Sequence, residues 1–114
     1  MKIDFIKRLF SKKKNDRTYS GVRYVQALSQ VPQDTGNDIY IVGSGGSYKW
    51  AVFKCPNSCG KRVEVNLMQS RYPRWQLKVR RNHVSLYPSV VVTDCGAHFW
   101  LENNDVEWAR FKDI

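Results

Sequence analysis

Three cysteines and one histidine hold the densest chemistry in the sequence. Cys55-Pro56-Asn57-Ser58-Cys59-Gly60 sets two thiols four positions apart, with a proline and a glycine that suit a tight reversal. Cys95-Gly96-Ala97-His98 adds a third thiol and an imidazole from a second glycine-containing turn. Thiolates approach Zn²⁺ at ~2.3 Å from adjacent corners of a tetrahedron, so two such turns complete a coordination shell. Cys55, Cys59, Cys95 and His98 make a Cys3His set that uses every cysteine of the chain. Three thiols do not close a disulfide framework, and the Cys-x-His spacing of a Rieske iron–sulfur centre is absent. The alternative is three inert thiols and an ordinary histidine; the spacing favours one structural zinc ion, contributing ~10 kcal/mol to folding.

A four-ligand zinc keeps no open position for water, so it acts as a staple. With His98 assigned to the metal, His83 is the one histidine left, in the polar run Arg80-Arg81-Asn82-His83. No carboxylate or hydroxyl stands beside it at a recognised spacing. The paired His-x-Glu and Pro-Cys-x-x-Cys of a deaminase are missing, and no helix pattern follows Asn82-His83 to complete a metal-dependent endonuclease site. Gly43, Gly45 and Gly46 lack the lysine and helix of a phosphate-binding loop and read as a hairpin turn. The reading leans away from an enzyme and assigns no catalytic residue.

The second feature is charge. Nineteen Lys and Arg oppose ten Asp and Glu in 114 residues, a net +9 that favours acidic partners. Residues 1–17 hold seven basic and two acidic side chains, and the other 97 hold twelve and eight. In that arm Ile3, Ile6, Leu9 and Phe10 recur at helical spacing among lysines, which predicts a short basic amphipathic helix over 1–17. One short helix anchors weakly, so the reading is against a membrane partner. Lys12, Lys13, Lys14, Arg71, Arg74, Lys78, Arg80 and Arg81 are the candidate partner or nucleic-acid contacts. Arg71–Arg81 holds five basic residues and no acid, interleaved with Tyr72 and Trp75, a pattern that tracks and stacks a single strand. Against this, Trp75, Leu77 and Val79 alternate as the buried face of a strand, leaving the basic residues as a solvated face.

The elements that must position these groups read as β from Thr18 onward. Asp38–Val42 and Tyr48–Phe53 flank the glycine turn, and Arg62–Leu67 and Trp75–Val79 alternate with a period of two. Val84–Leu86 and Val90–Val92 flank Pro88, which confines that stretch to an edge, a bend or a strand end. Phe99–Leu101 and Val106–Trp108 enclose the turn-forming Glu102-Asn103-Asn104-Asp105. The fold expected is mainly β: a small single-domain antiparallel sheet or partial barrel over residues 18–114, stapled by one Cys3His zinc. No apolar run reaches the ~20 residues that span a bilayer, and the N-terminus lacks the uninterrupted apolar region of a signal peptide, so the chain reads as cytoplasmic.

Residues 50–108 also carry an ordered set of motifs: Cys55 to Gly60, Pro73-Arg74-Trp75, Leu86-Tyr87-Pro88-Ser89, Cys95-Gly96-Ala97-His98-Phe99-Trp100 and Trp108. The series resembles a small bacterial and phage family of uncharacterised function. Its members lie beside genes for ubiquitin-like proteins and their activating, conjugating and deconjugating enzymes, in systems linked to antiviral defence. The resemblance implies that Cys55, Cys59, Cys95 and His98 bind zinc, with Pro88, Ser89, Phe99, Trp100 and Trp108 fixing the zinc turn against the sheet. It implies a non-catalytic module that binds a protein partner, an accessory or ligase-like adaptor in such a system. The alternative is a basic, zinc-ribbon-like nucleic-acid-binding protein.

Overall fold

The structure is a computed structural model that describes residues 18–109. Eight strands follow one another: β1 (Gly21–Val25), β2 (Asp38–Ser44), β3 (Ser47–Lys54), β4 (Arg62–Asn66), β5 (Gln76–Arg80), β6 (His83–Val92), β7 (Ala97–Glu102) and β8 (Asp105–Trp108). They form two four-stranded sheets, ordered β1-β2-β3-β4 and β5-β6-β7-β8. The mainly β expectation is borne out. The helix expected over 1–17 lies outside the described residues.

Alternation sets the packing. Ala97, Phe99 and Leu101 of β7 point inward with Val84, Leu86 and Val90 of β6, and meet Ile39, Ile41, Ala51, Phe53, Val63 and Val65 of the first sheet. Phe53 and Phe99, both fully buried, meet edge to face across the sheets with centroids 6.3 Å apart. Burying each ring stabilises the fold by about 1.5–3 kcal/mol. Tyr19 extends this stack, its ring 5.4 Å from Phe53.

The first sheet departs from the antiparallel expectation. β1 runs parallel to β2, joined through residues 26–37, which include a 3-10 turn at Leu28–Gln30. That connection lays Leu28 and Val31, beside Val25 at the end of β1, over Val42 and Val52, so the central strands of this sheet are covered on both faces. A parallel neighbour requires such a crossover, and the crossover supplies the apolar cover.

Tight turns close three of the hairpins. Gly45-Gly46, Arg81-Asn82 and Asn103-Asn104 all have positive φ at both central positions, the type I′ pattern whose twist matches the flanking strands. Asn104 is fully buried. Its side-chain oxygen accepts from the Val84 N–H at 2.6 Å, its own N–H donates to Val84 O at 2.8 Å, and its carbonyl accepts from Tyr19 N at 2.9 Å. The β7–β8 turn is thereby tied to the start of β6 and to the entering chain.

Pro88 does not end a strand. Leu86 pairs with Leu101 and Val90 with Phe99, so Tyr87, Pro88 and Ser89 all stand opposite Trp100 alone. β6 therefore continues from His83 to Val92 through an outward arch of two extra residues. Proline is tolerated there because an arched backbone has no ladder bond to lose.

Candidate functional site

The cysteines come from both sheets. Cys55 follows β3, and its N–H donates to Lys61 O at 2.7 Å, closing the loop that holds Cys59 before β4 begins. Cys95 sits in the β6–β7 turn, where the Gly96 N–H donates to Val92 O at 2.7 Å. The three sulfurs lie within 4.8 Å of one another, and Cys55 Sγ is 3.7 Å from Cys95 Sγ. Cys55 is buried, Cys95 half-buried and Cys59 exposed. An ion pair of Lys61 with Asp94 at 3.6 Å also joins the two turns; exposed and screened, it adds little.

These thiols differ electrostatically. Burial pushes the Cys55 thiol up to about 12, the Cys59 and Cys95 thiols add to this, and the Asn57 backbone N–H opposes it. The Ala97 backbone N–H, followed by the Cys59 thiol, holds Cys95 below the ordinary thiol range. A cluster of three thiols beside backbone amides can hold a metal ion.

His98, expected as the fourth donor, is not in the group of three sulfurs. It projects from the outer face of β7, and its Nε2 lies 2.8 Å from Ser89 Oγ. The arch at Tyr87–Ser89 produces this meeting, because two extra residues on β6 re-aim the serine toward the neighbouring strand. Ser89 is held from behind as well: the Trp75 indole N–H donates to its carbonyl oxygen at 3.1 Å. Behind His98, the Ala109 N–H donates to its carbonyl at 3.0 Å. Ser89 and His98 are both half-buried. Among the described residues no carboxylate is hydrogen-bonded to His98.

A serine hydroxyl against an imidazole nitrogen is a nucleophile beside its base. For Nε2 to accept the serine proton, the ring must carry its own proton on Nδ1. Ser89, expected to fix the zinc turn against the sheet, has its hydroxyl against His98. The available signal was a serine after a proline, nine positions before a histidine and across one turn from it.

The expected basic contacts remain apart from this chemistry. Arg71, Arg74, Lys78, Arg80 and Arg81 are all exposed. Arg74 lies 4.8 Å over the Tyr72 ring and donates to Gln69 O at 3.2 Å. Trp75, Leu77 and Val79 are half-buried against the core, as their alternation predicts. Lys12, Lys13 and Lys14 lie outside the described residues. Beside Trp75 an open cleft of about 770 Å³ runs along β5. Among the described residues no helix is long and apolar enough to cross a membrane.

No curated protein and no solved structure matches the chain. A family model described as "Bacterial ubiquitination-like system serine protease (BubE)" matches residues 25–109. The resemblance read from the motifs pointed to the same kind of system but carried no activity, whereas this family is described by one. Since the match runs from Val25 to Ala109, about three quarters of the sequence, the chain belongs to the BubE family of bacterial ubiquitination-like systems.

Proposed function

We propose that the chain is a serine hydrolase that cleaves an acyl bond of a protein in a bacterial ubiquitination-like system, with Ser89 as nucleophile and His98 as general base. The observation that carries this reading is the 2.8 Å contact of Ser89 Oγ with His98 Nε2, supported by the family's description. As Oγ bonds to the substrate carbonyl carbon, its proton passes to Nε2. The imidazolium then protonates the leaving amine as the carbon–nitrogen bond breaks. Water attacks the resulting serine ester with the same imidazole taking its proton, which releases the acid and restores the hydroxyl.

The cysteine cluster is read here as a zinc site. Two ligands at ~2.3 Å on a tetrahedral ion stand about 3.8 Å apart, and the Cys55–Cys95 sulfur separation is 3.7 Å. Cys55, Cys59 and Cys95 would hold the ion as three of its four ligands, and it would serve there as a link between the two turns. It would clamp the β6–β7 turn, three residues before His98, to the end of β3 in the other sheet.

A fluorophosphonate probe followed by peptide mass mapping tests the reading. The expected result is one adduct, on Ser89, absent from Ser89→Ala and from His98→Gln. His98→Gln should keep the wild-type metal content; loss of metal along with the adduct would return His98 to the metal. A chain that takes up no probe at Ser89 is the non-catalytic, partner-binding module that the sequence alone favours.

A further inference from the structure

β5 is an edge strand. One of its sides pairs with β6, while among the described residues the other has no partner strand; at its entry Trp75 N donates to Asn66 O at 2.8 Å. The cleft of about 770 Å³ opens along this strand, with Leu77 and Val79 of β5 lining it together with Tyr48 and Leu67 from the other sheet. That volume lies within the roughly 300–1,000 Å³ of ligand clefts. Trp75 and Tyr87 line its end, and Trp75 is the residue whose indole holds the Ser89 carbonyl. Trp75 thus joins the lining of the cleft to the backbone of Ser89.

Basic side chains outnumber acids around the cleft, where Glu102 accepts from the Tyr87 hydroxyl at 3.4 Å. Arg74 lines the cleft, and Lys78 and Arg80 alternate outward along β5, with Arg81 in the next turn. No Asp or Glu occurs between Glu64 and Asp94 in the sequence. Among the described residues none of these four cations has an ion pair, whereas Arg23, Lys54, Lys61 and Arg62 each have one. An edge strand with unpaired backbone groups, an aliphatic trough beside it and a row of uncompensated cations is complementary to an extended, acidic polypeptide.

We infer that the β5 edge and its cleft form the substrate-binding site for an extended acidic segment of the protein that Ser89 cleaves, taking an apolar side chain onto Leu77 and Val79 and carboxylates onto Lys78 and Arg80. This rests on the hydrolase reading above. The strand edge favours a polypeptide over a nucleic acid strand, because its backbone N–H and C=O groups can pair with another extended backbone.

The test uses full-length Ser89→Ala protein and fluorescein-labelled nonapeptides alternating leucine with glutamate or leucine with lysine, read by anisotropy at low salt. The glutamate peptide should bind at least tenfold more tightly, and Lys78→Glu/Arg80→Glu should reverse the preference with an unchanged circular dichroism spectrum. Equal binding of the two peptides, no binding of either, or an unaltered preference after charge reversal would overturn the site. So would displacement of the glutamate peptide by equimolar dT20. Fluorophosphonate labelling of the wild type separates the two claims. Labelling without acid preference sinks the peptide site and leaves the hydrolase, while acid preference without labelling does the reverse.

Discussion

Replacing Trp75 with phenylalanine removes one donor, the indole N–H that meets the Ser89 carbonyl at 3.1 Å. A hydrogen bond of this kind contributes a net ~0.5–1.5 kcal/mol, and the half-exposed carbonyl regains part of it from water. With the smaller ring, the stability cost should be about 1–2 kcal/mol, a fall in Tm of about 4–8 °C per kcal/mol. The effect on reactivity should be larger. Ser89 stands on an arch that is unpaired toward β7, so losing its rear contact lets Oγ drift from His98 Nε2. A displacement near 1 Å costs about 10²-fold in rate, or ~2.7 kcal/mol of barrier. The assay measures fluorophosphonate labelling rate and thermal unfolding on the same preparations, with Trp108→Phe as a control that leaves Ser89 untouched. Trp75→Phe should label 10- to 100-fold more slowly than Trp108→Phe. Labelling within twofold of wild type, despite a lowered Tm, would refute the idea that the indole positions the serine.

Four further outcomes follow from the structure. Purified protein should carry one zinc per chain by elemental analysis, and chelation or Cys59→Ser should unfold it or lower its Tm steeply, since structural zinc contributes ~10 kcal/mol. Because burial pushes the Cys55 thiol up to about 12, metal uptake near neutral pH must displace its proton, so affinity in a chelator competition should rise with pH; a flat profile would refute thiolate ligation. Asn104→Ala orphans the buried Val84 N–H and puts alanine at φ +68, which should cost about 2–5 kcal/mol in urea unfolding. Asn104→Gly should recover the backbone part of that loss. Gly43→Ala should destabilise by about 1–3 kcal/mol, because the new methyl would collide with the Ser47 carbonyl oxygen and Tyr48 Cα at the register shift between β2 and β3.

Much of the scaffold was legible because burial writes itself into alternation. Val63 and Val65, then Leu77 and Val79, announce strands by period two, and the loop glycines mark the β2–β3 hairpin. The cysteine grouping was legible because thiols in glycine-containing turns have few other uses. Strand direction was not: Gly21–Val25 carries nothing in its side chains that says whether β2 runs with or against it. The partner of His98 was hidden for a similar reason. Which hydroxyl faces that imidazole depends on how many residues β6 holds opposite Trp100, and the two-residue excess at Tyr87–Ser89 is a property of the pairing. Pro88 hinted at an interruption, but a break and an arch look alike in sequence.

Separation along the chain gives the two sites different histories during folding. Ser89 and His98 are 9 residues apart, on strands joined by one short turn, so they meet when a single hairpin closes, an event of ~1–10 μs. Cys55 and Cys95 are 40 residues apart and meet only when the two sheets have docked, so their loop-closure entropy falls late. On the hydrolase and zinc readings proposed above, the serine and histidine meet within one hairpin before the thiols of the two sheets converge, so metal would govern how firmly the pair is held and not whether it forms.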